Sequence, residues 1–213
     1  MSDYPEFMYA IIATYLEDSE GDLPRRLAGS IVIREERKGK TYKNGVLHSY
    51  NDVPAVVHGV DKEWYKDGVR HRDNDKPAIE TFLRKEWWVN GVLHRYRRPA
   101  IIDERLQIKE WHFRGRLHRE FDLPAVIKST LHKEWWINGV LHRERDLPAI
   151  IIGTWRKEWF RNGKRHRDMD LPAFICETRK EWFQNGEYYI RLGNLPSVEI
   201  LKNPMKRQNA MFF

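Results

Sequence analysis

The sequence predicts an all-β repeat protein. The expected fold is an elongated, single-layer, twisted antiparallel sheet of about seven stacked β-hairpins of 23–24 residues, with a short N-terminal helical cap. Three observations predict it. Glycines 45, 68, 91, 115, 139, 163 and 186 fall 23, 23, 24, 24, 24 and 23 residues apart. Other columns keep the same period: Lys-Glu-Trp at 62–64, 85–87, 109–111, 133–135, 157–159 and 180–182, and His-Arg at 71–72, 94–95, 118–119, 142–143 and 166–167. Finally, no window of about 11 residues between 40 and 200 carries the apolar period of a helix.

Along the chain, residues 1–29 do not match the unit. Phe7, Met8, Ile11, Ile12, Tyr15 and Leu16 recur at helical spacing after Asp3 and Pro5, so a helix over 5–17 is expected to cap the open edge of the first repeat. Residues 30–201 form the array. Each unit opens with Lys-Glu-Trp-aromatic, a composition suited to a pleated surface. A reversal follows, such as Asn90-Gly91, Asn138-Gly139 or Asn162-Gly163, because Asn and Gly tolerate the positive φ of a tight turn. Pro-Ala-Ile-Ile opens the second strand, with proline where its missing N–H does least harm. One such unit cannot bury a core alone, so copies should stack about 9–10 Å apart. Tyr189-Ile190 replaces His-Arg in the terminal unit, and residues 202–213 are expected to form a tail.

Composition excludes several classes. The chain has 213 residues, of which 13% are aromatic, which excludes disorder. Its longest apolar run, Phe7 to Ala13, is far too short to span a membrane. No basic segment precedes an apolar one at the start, so secretion is not expected. One cysteine, Cys176, excludes an internal disulfide framework and suits a reducing, intracellular compartment.

The columns point to structure and contacts rather than catalysis. Trp64, Trp87, Trp111, Trp135, Trp159 and Trp182 form one aromatic column, and Trp88 and Trp136 belong to the next. Successive strand residues face opposite ways, so one stripe is expected in the core and the other exposed as an interface. Histidines 48, 71, 94, 118, 142 and 166 look metal-like, yet neighbours about 9–10 Å apart cannot share an ion. They are expected to hydrogen-bond across the turn. The Glu column (63, 86, 110, 134, 158 and 181) repeats one environment six times, whereas acid–base catalysis needs unlike environments. Its expected partners are the Arg column, with Asp52, Asp75, Asp122, Asp146 and Asp170 as further acceptors. No catalytic residue, metal site or cofactor is predicted.

One unit breaks the pattern. Between His94 and Pro99 stand four residues where other units have five, and Tyr96-Arg97-Arg98 replaces the acidic segment. With Arg95 this forms a candidate basic patch for an anion. The net charge of +7 admits nucleic acid, but Lys and Arg columns alternate with acidic ones, which weakens any positive funnel.

The aromatic-x-Asn-Gly-x-x-His unit at this period resembles the MORN repeat. His-Arg stands where that pattern has His-Gly, and Asp-Leu-Pro-Ala replaces its glycines. This variant resembles repeat proteins of large DNA viruses of the marseillevirus group. The resemblance covers about residues 30–201 and implies a twisted sheet of stacked hairpins used for scaffolding, dimerisation or protein contacts. Tyr4–Arg37 also resembles an F-box, which would imply an adaptor. The expected function is therefore a non-enzymatic scaffold, a homodimer or a binder of other proteins, located in a host cytoplasm or a virion. The alternatives are a nucleic-acid or anionic-surface binder and an F-box adaptor.

Overall fold

The computed structural model describes residues 34–37, 39–191 and 198–200. The expected N-terminal helix, most of the F-box-like stretch and the tail lie outside the described residues. All regular structure described is β, and the strand pairings are antiparallel. The chain divides into two compact units, Met1–Leu93 and His94–Phe213.

In the first unit, Arg34–Arg37 pairs with Lys40–Lys43, which meets both Val46–Leu47 and Val56–His58. Val56–His58 then pairs with Asp61–Glu63, Asp61–Glu63 with Ile79–Glu80, and Ile79–Glu80 with Arg84–Glu86. In the second unit the ladder runs from Ile101–Asp103 through Ile108–Glu110, Val126–Lys128, His132–Glu134, Ile150–Ile152, Arg156–Glu158 and Phe174–Cys176. It continues through Lys180–Gln184 and Glu187–Arg191 to Val198–Ile200. In the second unit the strand after each Pro-Ala, such as Ile150–Ile152, thus lies between the Lys-Glu strand of its own copy and that of the following one.

The two strands per unit read from the sequence become four. In the internal repeats the Lys-Glu strand stops before its Trp and the aromatic residue after it starts a separate two-stranded hairpin, whereas in the last described repeat Lys180–Gln184 runs straight through Trp182. Examples are Trp136–Ile137 with Val140–Leu141 and Phe160–Arg161 with Lys164–Arg165. The Trp is the joint. The Trp135 N–H donates to the Ala149 carbonyl at 2.8 Å, while its own carbonyl accepts the His142 N–H at 3.2 Å. Trp64, Trp111 and Trp159 make the same pair of bonds. Strand pairing on one side and hairpin closure on the other leave no residue free to carry the strand straight through.

The turn chemistry follows the sequence. Asn162 and Gly163 have φ of 48° and 78°, the two positive values of a type I′ hairpin. The hairpins also join one another: the Gly163 N–H donates to the Leu141 carbonyl at 2.9 Å, and the Gly139 N–H to that of Leu117 at 2.8 Å. The core lies at the joints. Ala55, Ala78, Ala100, Ala125, Ala149 and Ala173 are fully buried, beside Trp rings 3–7% exposed. A residue with no accessible surface, next to the largest side chain in the repeat, has to be small.

Candidate functional site

Three couplings use the ionisable columns. The Glu column serves the second aromatic. Glu63 accepts from the Tyr65 hydroxyl at 2.7 Å, Glu86 from Trp88 Nε1 at 2.8 Å, and Glu134 from Trp136 Nε1 at 2.9 Å. The Glu ends its strand and the aromatic residue opens the hairpin, so each bond spans the Trp joint between them. Basic groups from the same strand and from neighbouring ones complete the neutralisation. Glu158, 1% exposed, takes Arg156 Nε at 2.8 Å and Arg165 Nη2 at 2.7 Å. Burial pushes the Glu134 carboxyl up, but the Trp136 and Lys128 hydrogen bonds outweigh it, and the net direction is down. The sequence expectation that Glu pairs with the His-Arg arginines is corrected. Those arginines project elsewhere because the strand ends at Trp and the hairpin turns away.

The His-Arg arginines bind the first Trp of their own repeat and the Asp of the preceding one. Arg143 lies 3.7 Å over the Trp135 ring, its Nη1 donates to the Pro148 carbonyl at 3.2 Å, and its Nε and Nη2 grip Asp122 at 2.8 and 2.9 Å. Arg167 repeats this on Trp159, Pro172 and Asp146, and Arg72 on Trp64, Pro77 and Asp52. The Arg143 guanidinium holds the Asp122 carboxyl below its usual range against the opposing effect of burial. The same aspartates accept from the indoles through their backbone carbonyls: Trp135 Nε1 to Asp122 at 2.9 Å and Trp159 Nε1 to Asp146 at 3.0 Å. One Asp therefore satisfies a guanidinium with its side chain and an indole with its main chain. A pair of positive-φ residues, such as Phe121-Asp122 or Arg145-Asp146, aims both groups.

The histidines join repeats as well. Nδ1 of His142 accepts from the Asn162 N–H at 3.1 Å, and Nδ1 of His118 from the Asn138 N–H at 3.2 Å. With Nδ1 accepting, the remaining proton sits on Nε2, which meets a carboxylate two residues on: Glu144 at 2.6 Å from His142 and Asp168 at 2.8 Å from His166. The predicted bond across the turn is thus a bond to the turn of the next repeat.

Among the described His-Arg arginines, the coupling is broken at Arg119. In the turn with four residues, Arg97 occupies the position two before proline that is held by Asp52, Asp75, Asp122, Asp146 and Asp170 in five other turns. It is the one positive-φ residue there (φ 57°), where the other turns have two. The next arginine, Arg119, still stacks 3.7 Å over Trp111 and still donates to the Pro124 carbonyl at 3.1 Å. No carboxylate among the described residues grips it, and burial pushes its guanidinium down from the ordinary value. Trp111 Nε1 and His112 Nδ1 are buried without a hydrogen-bond partner. These groups line a groove of about 150 Å³ with Arg95, Tyr96, Arg97 and Phe121.

The candidate residues fall into two environments. Trp64, Trp87, Trp111, Trp135 and Trp159 are buried, while Trp88, Trp136 and Trp182 are half-buried. Arg95 and Arg97 line the groove; Arg97 and Arg98 are exposed. Arg119 was not singled out by sequence. Its signal was the missing Asp, but finding it required knowing that each arginine reaches back to the preceding repeat. The chain matches no protein-family model, no curated protein and no solved structure. Among the described residues no helix is long and apolar enough to cross a membrane.

Proposed function

We propose that the chain is a non-catalytic repeat scaffold that makes protein–protein contacts, as a homodimer or with another protein. One observation carries this reading. The Glu, His, Arg and Asp columns are occupied in joining neighbouring strands and repeats, while several turns hold large apolar side chains out in solvent among charged ones. Phe121 is 76% exposed, Met169 88% and Leu123 43%. Exposed apolar groups rimmed by charge suit a protein partner. The likeness of the unit to the MORN repeat supports the same reading, and with it a place inside a cell or in a virion. The arginines gripped by aspartates offer little net charge to a phosphate backbone, which weighs against nucleic acid.

Light scattering of the purified chain at low and high salt tests it. A dimer that persists in high salt, or a stoichiometric complex with a purified protein partner, supports the scaffold. A monomer that takes up nucleic acid at low salt and releases it at high salt overturns it.

A further inference from the structure

We propose that the groove at the shortened turn is a docking site for an acidic peptide segment of a partner protein, whose aspartate carboxylate seats on Arg119 in place of the one that neighbouring repeats supply from within the chain. This rests on the protein-contact reading above and names the chemistry of the partner.

The chain provides its own template. Around Trp135 and Trp159, an aspartate offers two acceptors at once: a carboxylate to the Nε and Nη2 edge of the arginine and a backbone carbonyl to the indole N–H. Around Trp111 both donors are present and both acceptors are missing. The ring stack and the bond to the Pro124 carbonyl hold the Arg119 fork as its counterparts are held. The Trp111 indole is 7% exposed and its Nε1 lacks a partner. A buried unpaired donor beside an unpaired guanidinium is costly, and an incoming acceptor relieves both.

Charge and surroundings select the ligand. Arg97 places a cation where an anion stands in the neighbouring turn, so Arg95, Arg97 and Arg119 face Glu120 alone on this lining, whereas in the next groove Arg119, Arg143 and Arg145 are balanced by Glu120, Asp122 and Glu144. Glu120 is the one carboxylate on the lining. Tyr96, Phe121 and Leu123, 64%, 76% and 43% exposed, flank the cations with apolar surface. A free inorganic anion would use the charge alone. An aspartyl residue between apolar neighbours would use the charge, the indole and the rings.

The probe is a capped Phe-Asp-Leu-Pro peptide, the chain's own residues 121–124, read by the indole N–H resonance of Trp111 and by anisotropy of a labelled copy. Expected results are saturable binding that moves the Trp111 resonance, and at least about tenfold loss when the peptide carries Asn for Asp or the protein carries Arg119→Gln. Arg97→Asp leaves the Arg119 contacts in place and returns a carboxylate to the turn. It should lower peptide affinity by at least about tenfold with an unchanged or higher urea midpoint. The proposal is overturned if the Asn peptide binds equally well, if the Trp111 resonance stays still, or if Arg97→Asp binds like the parent. It is also overturned if inorganic phosphate or an oligonucleotide moves the resonance as far as the peptide at equal concentration. Light scattering of Arg97→Asp separates the two readings: self-association that survives while peptide binding never appeared leaves the scaffold standing and removes this site.

Discussion

Replacing Trp135 and Trp111 separately by phenylalanine measures the defect in the shortened repeat. Both rings are 7% exposed, and both carry an arginine at 3.7 Å. They differ at Nε1, which donates to the Asp122 carbonyl at 2.9 Å in Trp135 and has no partner in Trp111. Losing the second ring removes roughly 40 Å² of apolar burial in either case, about 1 kcal/mol. Trp135→Phe also loses a hydrogen bond, about another 1 kcal/mol, for a total near 2. Trp111→Phe removes a buried unpaired donor, which returns about 1 kcal/mol and leaves a total near zero. Arginine stacking and cavity effects are shared and largely cancel in the difference of about 2 kcal/mol. Urea unfolding of the full chain reads it, provided the slope is the same in both variants, so that midpoints compare directly. Equal destabilisation, or a larger loss for Trp111→Phe, would refute the assignment of an unmet donor.

Three further outcomes follow from the couplings. Asp122→Asn should cost about 0.5–1 kcal/mol at neutral pH, the range of an exposed bidentate pair. Because Arg143 lowers the folded-state value, that stabilisation is fully present above the unfolded Asp range near 4 and is lost as pH falls through the folded value, so parent and variant should converge in strong acid; denaturant titrations across pH check this. His142→Ala should speed amide exchange at Asn162 about fivefold, as expected for the loss of a bond worth about 1 kcal/mol, with exchange at Asn138 unmoved because it bonds His118. Gly163→Ala should cost more than Gly139→Ala: both need positive φ, worth about 1–2 kcal/mol, but the added methyl would meet Val140 at 3.1 Å in the first and nothing nearer than 3.6 Å in the second. Thermal melts of the two variants give the comparison.

Periodicity made the β class, the repeat length and the turns legible, because each is written in local chemistry. Asn162-Gly163 demands a tight reversal wherever it stands, and Pro148-Ala149-Ile150 opens a strand on any scaffold. The break at Trp was not legible. A run such as Lys133-Glu134-Trp135-Trp136 has good strand composition throughout, and only the bond from Trp135 to Ala149, made with the next Pro-Ala segment, interrupts it. Pairings between columns were equally hidden. Sequence gives an Arg column and two acidic columns, but which acid an arginine meets depends on where the strand ends and on which neighbour its hairpin leans toward. Residue spacing alone contains neither.

A repeat array carries its own control experiment, and that is why the shortened turn can be interpreted. A lone protein with an unpaired arginine near an indole offers no standard against which to judge the lack. Here the same arginine, indole and proline carbonyl recur with their aspartate around Trp64, Trp135 and Trp159. Neutral drift of one turn residue would remove one coupling and leave the rest. The change from Asp to Arg97 together with the deletion of a residue removes the carboxylate and the carbonyl in the same place and adds a cation. Each change leaves a donor unmet or a cation uncompensated, and all three favour the carboxylate ligand proposed for this groove. Costs that converge on a single chemistry are the pattern expected of a site in which local stability has been exchanged for binding.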